Sequence, residues 1–272
     1  MSGEAWSALA LALHLDGDHA GAVDAGYRAV SLEPNEVRHW LRYGYVGWGA
    51  PRLEAAHHAL KVAPDLGLGY WLTATVFIAR GAFELAFEIV RQGCAAQDRQ
   101  STGILLPALG LHLLHGQLLA AHDRLDEAAA ELQRELALVD DGLLWGRECA
   151  ANTWYALGAV RLRQRKPGEA DAAFRRALDI ADGHLPSLAA LGRPLPRIDA
   201  GDPRAADAAI ARSIGLARAG RRAEAAATCR ELLAGDPSPA AGWILPVEPI
   251  LHPAADPALW ADILDTVRAR AL

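Results

Sequence analysis

The chain has 272 residues, 52% of them apolar and 22% charged, and its formal net charge at pH 7 is −6. A net negative charge argues against nucleic acid as the main partner, because binding phosphates requires an excess of basic surface. No apolar run approaches the ~20 residues that cross a bilayer, so no membrane span is expected.

Three further signals indicate a bacterial protein of the cytoplasm. The N-terminal run ALALALHL is short, follows Glu4 and has no basic leader, so it does not suit a signal peptide. Cys94, Cys149 and Cys229 lie far apart and form no CxxC pair, which is typical of small buried thiols in a reducing compartment. Lysine and asparagine occur only twice each, a bias that indicates a GC-rich genome.

Three short helical hairpins are predicted in the first third of the chain. Apolar residues recur at helical spacing, and Gly and Pro interrupt them at regular intervals. The first hairpin covers residues 5–34, the second ends at Pro64, and the third spans residues 66–98. The second hairpin has only 30 residues, so it should lack about one helical turn relative to its neighbours.

Two longer hairpins follow. The alanines at matched positions of their second helices, Ala86, Ala128 and Ala170, are 42 residues apart. The additional residues are expected to lengthen each first helix at its N-terminal end, to 104–121 and 144–164.

The clearest hairpin is Asn152 to Asp182, NTWYALGAVRLRQRKPGEADAAFRRALDIAD. A small residue is needed where the two helices approach most closely, and aromatic and aliphatic residues on one helical face fill the space around it. Lys166-Pro167-Gly168 breaks the helix, because Pro suits the first turn of the next one. The residues that carry this pattern are Trp154, Leu157, Gly158, Ala170, Phe174 and Ala177.

This pattern resembles the tetratricopeptide repeat, in which a large residue and Leu-Gly are followed by Ala, an aromatic residue and Ala. The resemblance implies an all-α fold. About six hairpins would stack into an α-solenoid with a right-handed superhelical twist and a C-terminal capping helix. Repeats one to five would occupy residues 1–182.

The last third is less regular. Residues 183–203 hold several prolines and are expected to form a broken half-repeat or hinge. Residues 204–237 are expected to form the last hairpin. Residues 238–272 should be a Pro-rich linker followed by an amphipathic helix from Pro257 that caps the last hairpin.

The sequence carries no motif of an enzyme: GxxxxGK[ST], GxSxG, HExxH and a full GxGxxG are all missing. Neither a catalytic residue nor a cofactor is therefore expected. His112, His115 and His122 lie on roughly one helical face and raise a metal-site hypothesis. Zinc requires three or four converging ligands, however, and no Cys or carboxylate accompanies this face at ligand spacing. Packing or groove histidines are the favoured interpretation.

The resemblance also implies a concave groove lined by fixed positions of the first helices. Tyr, Trp and Arg dominate binding hot spots, and Asn can bind a peptide backbone. Ordinary packing between helices remains an alternative role for Trp48 and Trp71. The residues at the groove positions are Arg38, Leu41, Tyr45, Trp48, Leu68, Trp71, Thr75, Gln117, Asn152, Tyr155, Leu162, Arg163, Asp207 and Arg218.

The leading hypothesis is a non-enzymatic scaffold that binds a peptide or protein segment in this groove. Residues 147–230 carry 15 basic and 9 acidic side chains, so an acidic partner segment is one expectation, although a solvated Arg-rich surface explains the same excess. The alternative is an accessory or regulatory subunit docked on an enzyme or transcription factor. Self-association through the terminal hairpins also stays open.

Overall fold

The computed structural model describes residues 1–99, 109–139, 145–199, 202 and 204–272. The chain divides into two compact units. Unit 1 comprises Met1–Ala108, Ser238–Ala240 and Val267–Leu272, and unit 2 comprises Leu109–Pro237 and Ala241–Thr266. The described residues form fourteen α-helices and no strand, which confirms the all-α prediction.

Unit 1 holds three helical hairpins. Their helices are α1 (Gly3–Leu15), α2 (His19–Leu32), α3 (Val37–Val46), α4 (Ala50–Val62), α5 (Gly67–Ala79) and α6 (Phe83–Asp98). Each first helix packs on the second helix of its own hairpin, and α3 and α5 also pack on the second helix that precedes them. The short helix is α3, whose ten residues account for the short second repeat.

The first interface of unit 1 departs from the usual residue pattern. Gly26 occupies the position where an aromatic residue is typical, and Tyr27 beside it is 53% exposed. A Cβ at Gly26 would lie 2.9 Å from Cδ2 of Tyr43. The Tyr43 ring of α3 therefore fills the space that an aromatic side chain of α2 would otherwise take.

Unit 2 repeats the arrangement and then interrupts it. Its paired helices are α7 (Leu111–Ala121) with α8 (Leu125–Leu138), α9 (Gly146–Arg163) with α10 (Pro167–Ile180), and α12 (Ala205–Arg218) with α13 (Arg222–Gly235). Helix α11 (Leu185–Ala190) has only six residues and is followed by non-helical residues 191–199. The broken half-repeat therefore begins with a short helix, and its role as a hinge stays a prediction.

The prediction of a first helix over residues 104–121 is wrong at its start, as far as the described residues go. Helix α7 begins at Leu111, after Gly110 in the left-handed conformation with φ +83°. The buried Glu135 carboxylate accepts from the backbone N–H groups of Gly110, His112 and Leu113 at 2.9, 3.0 and 3.2 Å. A carboxylate that accepts hydrogen bonds from the unpaired N–H groups of a first turn caps the helix, so α7 begins here. Residues 100–108 lie outside the described part of the chain.

The expectation for the next first helix, 144–164, agrees with α9 except that residues 145 and 164 lie just outside the helix; residue 144 is not described. Helix α14 (Pro257–Arg270) is also where the sequence predicts a helix. Trp260, Ile263 and Val267 are buried on one of its faces, and Asp262 pairs with Arg230 of α13 at 2.5 Å.

The hairpin interface at Gly158 gives a direct test of the packing. A Cβ there would lie 2.5 Å from Cε1 of the fully buried Phe174. We expect Gly158→Ala to lower the free energy of unfolding by about 1–3 kcal/mol despite the better helix propensity of Ala, because the core is overpacked. Urea unfolding measures the change. The control is Gly168→Ala, where nothing lies within 4 Å of the added Cβ, and an equal loss there would contradict this packing.

Candidate functional site

The predicted groove residues differ widely in exposure. Arg38, Tyr45, Asn152, Asp207 and Arg218 are exposed, and Leu68, Trp71, Leu162 and Arg163 are partly buried. Five others are buried in the described structure: Leu41, Trp48, Thr75, Gln117 and Tyr155. These five contribute to packing, and the assignment of the whole set to a ligand groove stays a prediction.

In unit 1, the predicted residues Trp48 and Thr75 surround a buried guanidinium. Arg52 donates to the carbonyl oxygens of Gly44, Gly47 and Tyr45 at 2.9, 3.0 and 3.0 Å and to Oγ1 of Thr75 at 3.1 Å. Its Cζ lies 4.6 Å from the centroid of the Trp48 ring, within the range of a cation–π interaction. Burial lowers the pKa of Arg52 to about 10, so it is still charged at neutral pH.

Sequence reasoning missed Arg52, although a signal was present. Helix α3 ends early at Val46, and its last carbonyls lack helical partners. An arginine at the start of the next helix, directly after Pro51, is within reach of them. Trp48 and Thr75 therefore hold the α3–α4 turn together, which is the packing alternative that the sequence left open for Trp48.

In unit 2, the chain's own residues 241–256 pack on the helices that carry the predicted groove residues. The sequence predicts a linker here, but the segment forms two 3-10 turns, Leu245–Val247 and Pro253–Ala255, and the first of them packs on α7. The apolar side chains of Leu245, Val247 and Leu251 are at most 1% exposed. We call residues 241–256 the resident segment.

The resident segment carries a buried acid at its centre. The Tyr155 hydroxyl donates to Oε1 of Glu248 at 2.5 Å, and the backbone N–H of Leu251 donates to Oε2 at 2.5 Å. Burial raises the pKa of Glu248 to about 7 and also raises the pKa of Tyr155. One predicted groove residue thus binds a carboxylate from a Pro-flanked segment, 245-LPVEPIL-251.

Two arginines flank this contact. Arg163, another predicted groove residue, donates to Asp123 at 2.7 Å, and its Nη2 lies 3.2 Å from Nε2 of His252. Arg222 of α13 donates to the Leu251 carbonyl oxygen at 3.1 Å. The arginines therefore bind the backbone and the end of the resident segment, while Tyr155 binds its acid.

Asn152 is positioned by a neighbouring histidine. Its Oδ1 lies 3.1 Å from Nε2 of His184, whose Nδ1 lies 2.8 Å from the Ser187 hydroxyl. Burial lowers the pKa of His184 to about 4, so the ring is neutral at physiological pH. The His184 ring packs edge-on against Tyr155 with centroids 6.0 Å apart. Asn152 and Tyr155 are thus linked through one neutral ring.

The three candidate metal ligands are not brought together. Nδ1 of His112 and Nδ1 of His115 lie 2.6 and 3.3 Å from the same Glu131 oxygen, which lowers the pKa of that carboxyl. His122 instead places its Nδ1 2.9 Å from the Leu118 carbonyl oxygen of its own helix. Glu131 thus contacts two of the histidines, and the third histidine is turned towards the backbone.

Among the described helices, none has both the length and the apolar character that crossing a bilayer would need.

The fold is similar to that of solved tetratricopeptide repeat proteins. TTC0263 of Thermus thermophilus, a thermophilic TPR protein, is 21% identical, with 68% of this chain and 95% of that chain covered and a TM-score of 0.52. PilW, a type IV pilus biogenesis factor, is 16% identical, with 93% and 98% covered and a TM-score of 0.52. A chain of the APC/C hetero-tetramer Cut9-Hcn1 is 15% identical, with a TM-score of 0.53, and the match covers 98% of this chain but only 42% of that one.

Comparison by sequence adds nothing to this: no protein-family model matches the chain, and no curated protein is significantly similar to it. The structural similarity establishes the fold, which is that of the tetratricopeptide repeat proteins predicted from residues 152–182.

Proposed function

We propose that this chain of tetratricopeptide repeat fold is a non-enzymatic scaffold that binds an extended, acid-bearing segment of a partner protein across the first helices of unit 2. One observation carries the proposal: Tyr155 and Arg163 already contact such a segment, which belongs to the chain itself. A surface that buries a Pro-flanked peptide in one molecule offers the same contacts to a similar peptide from another.

The chemistry of the resident segment defines the partner. It combines apolar residues that are fully buried with a buried acid, Glu248, that is bound by a tyrosine hydroxyl. Prolines on both sides of Glu248 reduce the conformational entropy that is lost on binding, since their φ angles are already restricted. A partner segment of this type would compete with the resident segment for the same side chains.

The test uses a labelled peptide of residues 241–256 and the full-length double variant Leu245→Asp/Leu251→Asp, which weakens docking of the resident segment. We expect the peptide to bind this opened variant at least about tenfold more tightly than the wild type. In the wild type the tethered segment competes at an effective concentration that reaches the millimolar range. Fluorescence anisotropy measures the affinities, and circular dichroism checks that the helices are retained.

Two controls separate specific binding from adhesion to exposed apolar surface. A peptide with Lys in place of Glu248, and the opened variant with the additional change Tyr155→Phe, should both bind several-fold more weakly. Equal binding of the two peptides, or no saturable binding to the opened variant, would exclude the proposed ligand surface.

A further inference from the structure

The interrupted repeat in unit 2 leaves one first helix without its usual neighbour. Helices α3, α5 and α9 each pack on the second helix of the preceding hairpin, namely α2, α4 and α8. Helix α12 follows α11, and the described residues between them form no second helix: residues 191–199 are non-helical and include Pro194 and Pro196. Helix α12 packs on α11 itself, and Gly192, Arg193 and Leu195 of the irregular stretch line the space beside the two helices.

A cleft of about 430 Å³ lies at that position. Its floor is apolar and comes mainly from α11 and α12, with Gly215 close enough to α11 that an added Cβ would lie 3.9 Å from Cβ of Ala189. We call it the α12 cleft, and its partly exposed apolar residues are Leu195, Gly215 and Leu216.

Three guanidinium groups stand around this apolar floor, those of Arg193, Arg212 and Arg221. Arg221 pairs with Glu224. Arg193 and Arg212 are exposed and form no ion pair with any residue in the described part of the chain. On this protein surface most other arginines have acidic partners, so two unpaired arginines at one cleft indicate a ligand with negative charge.

We propose that the α12 cleft is a docking site for an acidic amphipathic helix of a partner protein. The helix takes the place of the second helix that α11 lacks. Its apolar face covers Leu195, Gly215 and Leu216, which are partly exposed, and its Glu or Asp side chains pair with Arg193 and Arg212. This site involves none of the contacts of the resident segment and is independent of the groove function proposed above.

The chain itself contains a model for such a ligand. Helix α8, LDEAAAELQRELAL, is an acidic second helix that packs on α9, the first helix of the next hairpin, and its buried residues include Ala128, Ala129 and Leu132. A lactam-stapled peptide of residues 125–138 is therefore a suitable probe, because stapling removes the helix-forming cost that a free 14-residue peptide would bear.

Isothermal titration of the full-length protein with this peptide tests the site. We expect saturable one-to-one binding that Arg193→Glu/Arg212→Glu weakens about tenfold or more, because two attractive charge pairs become repulsive. The control is Arg197→Glu, which reverses the charge of an exposed arginine outside the cleft that pairs with Asp199. It should change the affinity less than twofold. Gly215→Leu, which fills the floor, should also abolish binding.

Other results would overturn the proposal. Binding that Arg197→Glu weakens as much as the double variant would indicate general attraction to a basic surface. Concentration-dependent dimers in sedimentation, lost in Arg212→Glu, would assign the cleft to a second copy of the chain. Binding of the peptide that survives Gly215→Leu would place the ligand elsewhere, and equal binding by a short poly-Glu peptide without an apolar face would exclude a docked helix.

Discussion

At pH 8 the Glu248→Gln variant should be more stable than the wild type by about 3 kcal/mol. The Glu248 carboxyl has a pKa of about 7 in the folded chain against an ordinary value of 4.5, because burial disfavours its ionised form. A raised pKa in the folded state means that stability is complete below pH 4.5 and is lost as the pH rises towards 7. The difference of about 2.5 pKa units corresponds to about 3 kcal/mol.

Glutamine imitates the neutral acid at this position. Its amide oxygen can accept from the Leu251 N–H, and its NH₂ can donate to the Tyr155 hydroxyl, which is both donor and acceptor. The variant should therefore be insensitive to pH through this group. The measurement is urea unfolding at pH 5, 6, 7 and 8, together with hydrogen exchange of residues 241–256.

Comparison with the variant isolates Glu248 from the neighbouring titratable groups. His184 and His252 have lowered pKa values and so contribute in the opposite direction, gaining stability as the pH rises. Both are present in the wild type and in the variant. Parallel pH profiles for the two proteins would show that the resident segment is not held through a buried acid. The other groups near this contact are Tyr155, Arg163, Arg218, Arg222 and Cys229.

Arg52→Leu should lower the stability of unit 1 by about 3–5 kcal/mol. The guanidinium satisfies three backbone carbonyls and the Thr75 hydroxyl in the interior, and each buried acceptor that loses its donor costs about 1–3 kcal/mol. Losses of this size at one residue exceed those of ordinary surface changes. Chemical unfolding followed by far-UV circular dichroism measures the effect.

Two variants calibrate the Arg52 result. Arg91→Leu removes an exposed arginine that pairs with Glu88, and it should cost less than about 1 kcal/mol. Arg52→Lys keeps the charge but cannot donate to all four acceptors, so its loss should be intermediate. A tolerated Arg52→Leu would mean that water satisfies the α3 carbonyls and that Trp48 is free for another role.

The sequence predicted the repeating elements well, for a local reason. The spacing between a small residue such as Gly158 and a large one such as Phe174 follows from how two adjacent helices pack. Each hairpin can therefore be recognised within about 34 residues. The same local signals also located the interruption after Leu191, since prolines at 194 and 196 exclude a second helix there. The predicted start of α7 was wrong, because the carboxylate that caps its N-terminus belongs to Glu135, in the following helix.

The candidate sites were less accessible to this reasoning. Positions on a first helix indicate which side chains point along one face, but they do not reveal what covers that face. Trp48 and Thr75 pack against the buried Arg52 of helix α4, and Tyr155 binds an acid 93 residues away. Such contacts leave no periodic trace in the sequence.

What the sequence determined by itself was therefore the helical repeat and its small residues, because these depend on contacts between neighbouring segments. Only the tertiary structure decided that residues 241–256 pack across helices α7 and α9 and that a cleft opens beside α12. The physical reason is that a buried acid such as Glu248 depends on desolvation by residues that are distant along the chain. In the same way, the sequence shows that α11 lacks a second helix, but only the packing of the other segments decides whether a cleft remains beside α12.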